Sequence, residues 1–127
     1  MIRNKIVLVP FPFDDFSSAK VRPALCLTAE IGKHKHVIIA FITSKIPADI
    51  TDSDIIIKKS TKNSTGTGLV VDSVIRLHKM VVIPVKLINR KLGEINQSLQ
   101  IDVKSKIRKL FDCLTLTFQS FIVQNRI

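Results

Sequence analysis

The sequence predicts a mainly β domain (α+β), a small barrel or strongly bent sheet with a single helix at its C-terminal end. Three observations carry this. The chain has 127 residues, the size of one domain and too short for two ordinary ones. Short apolar runs, many of them β-branched, recur at close spacing through the first two-thirds, the pattern of several short strands. After Asn96 the apolar period changes to three and four, the pattern of one helix face.

The elements follow in order. Lys5 to Val9 is an apolar strand that ends at Pro10, and the segment from Pro10 to Ser18 is a loop, because two prolines within three residues remove backbone donors. Arg22 to Thr28 is a second strand with Pro23 at its entrance, and Val37 to Thr43 is a third, apolar enough to be buried on both faces. Ile55 to Ile57 is a short strand, and the polar, Gly-bearing stretch Ser60 to Gly68 is a loop. Leu69 to Leu77 reads as a long strand with Val70, Asp72, Val74 and Arg76 on one side, and Met80 to Pro84 as a separate short one. Gly93 is a turn residue and Asn96 a helix N-cap. Beyond it Leu99, Val103, Ile107, Leu110, Phe111 and Leu114 form one apolar stripe of about four turns, with Lys104, Lys106, Arg108 and Lys109 on the solvated faces. Residues 115–127 fit either a strand or a continuation of the helix. They are treated as an unassigned tail of a single domain spanning 1–127.

Composition narrows the function. Lys and Arg number 20 against 10 Asp and Glu, a net charge of +10, yet 46% of residues are hydrophobic. A globular domain with that excess points to polyanionic partners: nucleic acid, a membrane surface or an acidic protein. No apolar run approaches the roughly 18 residues of a membrane span. The start of the chain is polar and its first apolar run is broken by Pro10 and Pro12, unlike a secretory signal. Cys26 and Cys113 stand far apart, so neither a disulfide nor a zinc site is expected. His34 and His36 have only lysines around them, so no metal is expected there and no cofactor anywhere.

Four groups of residues are candidates for chemistry, each with a plainer alternative. Arg22 precedes Pro23, which stiffens the backbone presenting its guanidinium; otherwise it is a surface arginine. Thr43, Ser44 and Lys45 end the third strand with two hydroxyls and an ammonium, a set suited to a phosphate; otherwise they start a turn. Arg76 and His78 share a face by period two, placing a group that titrates near neutral pH beside a fixed cation; otherwise they are a solvated pair. In the loop Phe11 to Phe16, Phe16 is best placed to stack on bases, whereas Phe11 and Phe13 alternate toward the core.

Taken together, the blocks Ile6-Val7-Leu8-Val9-Pro10-Phe11-Pro12-Phe13, Arg22-Pro23-Ala24-Leu25, Ile39-Ala40-Phe41-Ile42-Thr43-Ser44, the run from Gly68 to Leu77, and Arg90 to Ile95 resemble the MazF/PemK family of bacterial toxins, in the family's order. The resemblance implies an SH3-like barrel, a homodimer, and a cytoplasmic bacterial location. It also implies ribosome-independent, metal-free cleavage of single-stranded RNA by the RNA's own 2′-hydroxyl, leaving a 2′,3′-cyclic phosphate and a 5′-hydroxyl. An acidic antitoxin is the implied inhibitor. The family's active-site arginine and threonine fall on Arg22 and Thr43. Some members use an Arg-x-Asp pair; here Arg76 keeps the arginine, while His78 takes the place of the aspartate and offers another base at neutral pH. Many members carry Gly-Asp before the first strand, where Asn4-Lys5 stands here and adds a cation. Phe16, Lys20, Ser44, Lys45 and Lys5 are the candidate RNA contacts beside the catalytic candidates Arg22, Thr43, Arg76 and His78. Two other readings stay open: a non-enzymatic gyrase poison of the CcdB type, and a nucleic-acid-binding barrel without catalysis.

Overall fold

A computed structural model describes residues 2–10 and 20–124, with side chains through residue 112. Six strands and one long helix follow one another: β1 (Lys5–Pro10), β2 (Val21–Cys26), β3 (His36–Thr43), β4 (Asp54–Ile57), β5 (Ser73–Pro84), β6 (Arg90–Glu94) and α1 (Gln97–Gln124). All pairings are antiparallel, in the order β4-β5-β3-β2-β1-β6. The mainly β fold with one terminal helix is therefore as expected, in the form of a curled half-barrel. The expected loop from Pro10 to Ser18 and Phe16 lie outside the described residues.

The central strands are apolar on both faces, and alternation sorts them into two clusters. Ile6, Leu25, Ala40 and Ile42 join Ile55, Ile57, Ile75 and Leu77 and the helix residues Leu99 and Val103. Val7, Val9, Ala24, Cys26, Val37 and Ile39 form the second cluster, packed against Phe41, Val81 and Ile83. The β5 strand supplies both. Its first half pairs with β4 and its second with β3, and the β3–β5 register jumps: Ala40 faces Met80 while Ile42 faces Ile75. Two steps along β3 thus span five along β5. This corrects the reading of two strands over Leu69–Leu77 and Met80–Pro84. One strand begins only at Ser73, and the extra residues bend it around the core.

The helix starts as predicted: the Asn96 side-chain oxygen accepts the Leu99 N–H at 2.8 Å. Leu99 and Val103 are buried and Ile107 packs beside them, but Phe111 is 58% exposed and leaves the expected stripe. Residues 115–124 continue the helix, which reaches a length of about 42 Å at 1.5 Å per residue. Two of its lysines are not simply solvated. Lys106 Nζ donates to the Asp52 carbonyl at 3.0 Å, and Lys109 lies 3.6 Å from the Asp52 carboxylate.

Two backbone positions explain local sequence choices. Asn4 has φ +71, a left-handed geometry in which asparagine is the main alternative to glycine. Its N–H donates to Cys26 and its carbonyl accepts from Ile95, so it pins the start of β1 to β2 and to the entry of the helix. Gly93 is required for a different reason. A Cβ there would sit 2.6 Å from the Thr67 carbonyl carbon, and one on Gly68 would sit 2.8 Å from that of Leu92. The 66–68 loop therefore lies backbone to backbone on β6.

Gly93→Ala is expected to lower unfolding stability in urea by about 1–3 kcal/mol through this overpacking. Gly32, where a Cβ meets nothing within 4 Å but φ is +74, should lose only about 1 kcal/mol on the same change. Equal losses would contradict the steric account.

Candidate active site

Pro23 shapes the site. It has no N–H to give, and the β2–β3 ladder begins only at Ala24 opposite Phe41. Extending that register by two residues sets Arg22 across from Thr43, at the point where the two strands part. Arg22 is half-buried there. A depression of about 320 Å³ opens beside them, lined by Arg22, Phe41, Ile42, Thr43, Lys45, Pro47, Arg76 and Lys79. A second, of about 760 Å³, shares Arg22, Ile42 and Thr43 with it and extends past Lys20, Ser44 and the 68–71 segment to Arg90. Together the two linings carry six cations and, among the described residues, no carboxylate.

Thr43 is both a turn residue and a lining residue. Its Oγ1 accepts the Lys45 N–H at 3.1 Å, which fixes the hydroxyl at the strand end and turns Lys45 back over the depression. Arg76 is held more firmly. Its Nε donates to Asp54 Oδ1 at 2.9 Å and its Nη2 to Oδ2 at 3.3 Å, across the β4–β5 register that sets Asp54 opposite Arg76. The Asp54 side chain is wholly buried and that of Arg76 is 18% exposed. Burial pushes the Asp54 carboxyl upward. The Arg76 hydrogen bonds, with those from the Thr51 N–H and hydroxyl, outweigh it and hold the group below the usual carboxylate range.

The structure thus brings Arg22, Thr43, Lys45 and Arg76 to one depression, with Lys20 and Ser44 beside them. It does not bring in His78 or Lys5. His78 is exposed and its Nδ1 lies 2.7 Å from Ser53 Oγ, outside both linings. By period two His78 stays on the side of β5 that carries Arg76, since Ile75 and Leu77 share one core cluster, but it reaches Ser53 rather than either depression. Lys5 faces Glu94 across the β1–β6 ladder and bonds it at 2.8 Å. Its hydrogen bond with Glu94 raises its own pKa and lowers that of Glu94. Sequence reasoning passed over Lys79, Arg90 and Asp54. Arg90 opens a matched block and Lys79 lies two residues past another, whereas Asp54 carried no signal beyond preceding an apolar run. Among the described residues no cluster of three or more metal-ligating side chains occurs. Burial pushes the Cys26 thiol up to about 11, which removes it from nucleophilic chemistry. No described helix is long and apolar enough to cross a membrane.

Comparison with known proteins gives a consistent result. The family described as PemK-like, MazF-like toxin of type II toxin–antitoxin system matches residues 2–111. A search of curated proteins found no match. Among solved structures, the Mycobacterium tuberculosis toxin MazF-mt6 superposes with a TM-score of 0.64 at 23% identity, over 85% of this chain and 96% of that one. An endoribonuclease in complex with its cognate antitoxin, from mycobacterial species, superposes with a TM-score of 0.59 at 11% identity, over 86% and 92%. An Mtb toxin gives 0.56 at 24% identity, over 69% and 90%. At these identities the structural likeness is one of fold.

The depressed Asp54 pKa links stability to acid. Above the ordinary aspartate value of about 3.9 the contribution of ionised Asp54 is fully present, and it is lost as pH falls through the lower folded value. Urea midpoints measured from pH 6 down to pH 2 should fall through this range, with a shallower fall in Asp54→Asn; parallel slopes would remove Asp54 from the account.

Proposed function

Because the chain belongs to the PemK-like, MazF-like toxin family of type II toxin–antitoxin systems, we propose that it is an endoribonuclease that cuts single-stranded RNA at the depression between β2 and β3. The observation that carries this reading is the convergence of Arg22, Thr43 and Arg76, with Lys45 and Lys79, on one cavity.

The chemistry follows from what those side chains can do. When the RNA 2′-hydroxyl attacks the adjacent phosphorus, the 2′-oxygen loses its proton and bonds to phosphorus. The P–O5′ bond then breaks and O5′ takes up a proton. The products are a 2′,3′-cyclic phosphate and a 5′-hydroxyl. Negative charge builds on the non-bridging oxygens of the phosphorane, and donors fixed around it lower the barrier. Arg22 offers a planar fork of N–H groups suited to two phosphate oxygens. Arg76 uses two of its five N–H donors on Asp54 and has three others. The Thr43 hydroxyl can donate to a third oxygen. A guanidinium is a donor and not an acceptor, so Arg76 acts here by charge rather than as a base. The wider depression, with Lys20 and Arg90, accommodates the flanking nucleotides through their phosphates. The same cations suit the acidic segment of an antitoxin, so inhibitor and substrate compete for one surface, in a toxin that acts as a cytoplasmic homodimer.

Purified protein should cleave single-stranded RNA in EDTA and leave 2′,3′-cyclic phosphate ends. Arg22→Ala and Thr43→Ala should each lower kcat by about 10²–10³-fold while circular dichroism stays unchanged. A wild type that does not cut, or variants that cut equally well, would overturn the proposal.

A further inference from the structure

Asp54 sits behind the proposed site rather than in it. It lines neither depression, its side chain has no exposure, and it receives four hydrogen bonds. Oδ1 accepts from Arg76 Nε, and Oδ2 accepts from Arg76 Nη2, the Thr51 N–H at 2.9 Å and the Thr51 hydroxyl at 3.1 Å. A carboxylate saturated in this way has a fixed plane. The fork it offers Arg76 fixes the guanidinium plane in turn. Without Asp54 the Arg76 side chain would be free to sample several rotamers.

The bonds continue past Thr51, and simple proton counting gives them a direction. Thr51 Oγ1 lies 3.0 Å from Ser53 Oγ, which lies 2.7 Å from His78 Nδ1. A hydroxyl has one hydrogen and an ionised carboxylate has none. Thr51 gives its hydrogen to Asp54, so Ser53 must give its own to Thr51. His78 must then donate from Nδ1 to Ser53. The chain runs one way, from the exposed imidazole to the buried carboxylate, and it needs the tautomer with hydrogen on Nδ1.

We propose that Asp54 is the positioning residue that aims Arg76 into the depression, itself oriented by a one-way hydrogen-bond chain from His78 through Ser53 and Thr51. The consequence for RNA cleavage rests on the ribonuclease reading above; the clamp itself does not. It assigns His78 a place outside both depressions, as the outer end of a support.

The test combines kinetics with two spectroscopic readouts. Asn at position 54 keeps one acceptor but turns the other into a donor facing other donors. Asp54→Asn should therefore lower kcat by about 10–100-fold, the scale of a roughly 1 Å misplacement, with KM for a short RNA changed less than threefold. In the NMR spectrum of the free protein the Arg76 Nε–H should be protected from exchange, and it should exchange faster in Asp54→Asn. The nitrogen-15 shifts of neutral His78 in the wild type should report hydrogen on Nδ1. Thr51→Val and Ser53→Ala, which leave the ion pair in place, should each give smaller losses in kcat in the same direction, and they carry the kinetic test if Asp54→Asn does not fold. Wild-type kcat in all three variants, an unprotected Arg76 Nε–H in the wild type, or hydrogen on Nε2 of His78 would overturn the proposal. A wild type that cuts no RNA would instead overturn the ribonuclease reading, while the NMR measurements still decide the clamp.

Discussion

Two-sided burial of β1, β2 and β3 is the constraint from which the rest of the architecture follows. A strand with apolar side chains on both faces needs cover on both, and the described residues hold a single α-helix to give it. That helix covers one face, through Leu99 and Val103. On the second face of the curled sheet Val37 and Ile39 lie beside their ladder partners Ile83 and Val81, with Phe41, Val85 and Ile88 packed against the same cluster. The curl demands a break in the β3–β5 register, and the break falls beside Arg76. Function is left with what the core does not consume, namely the ends of the strands and the residues around the break.

The same constraint explains why the site is cationic and its support is not. Cations at strand ends reach solvent and cost little to keep charged. Asp54, an acidic side chain built into this corner of the sheet, is fully buried and is tolerated because Arg76 and Thr51 satisfy both of its oxygens. Pro23 makes the complementary contribution. By withholding a donor it ends one ladder and lets β2 and β3 part at Arg22 and Thr43. A missing hydrogen bond thus creates the cavity, and a set of saturated ones stiffens its wall.

Much of this was legible from the residues alone, and the limits have physical causes. Short apolar runs located β1 to β4, β6 was read only as a turn at Gly93, and the Asn96 cap placed the helix start within a residue. Charge and the blocks around Arg22 and Thr43 marked the strand ends that line the depression. Alternation failed at β5, because a period of two cannot register residues that bulge out of a ladder. It split one bent strand into two, and it could not show that His78 reaches Ser53 rather than the depression. Asp54 escaped notice because a buried acid is defined by its partner, and Arg76 is distant in sequence. Phe111 fitted the helical period but is largely exposed, about two turns beyond the buried Val103.

The register break also determines where this protein can change length. Inserting or deleting one residue at 36–40 would reverse the facing of every later side chain in β3 and exchange its two apolar clusters. Between Ile75 and Met80 the count along β5 already differs from its partner, but Leu77 is buried in the core and Arg76 is paired with Asp54, so a change of length is best absorbed at His78 and Lys79. The stretch around Lys79, on the rim of the depression, is therefore the part of the strand system where spacing can change without a new fold.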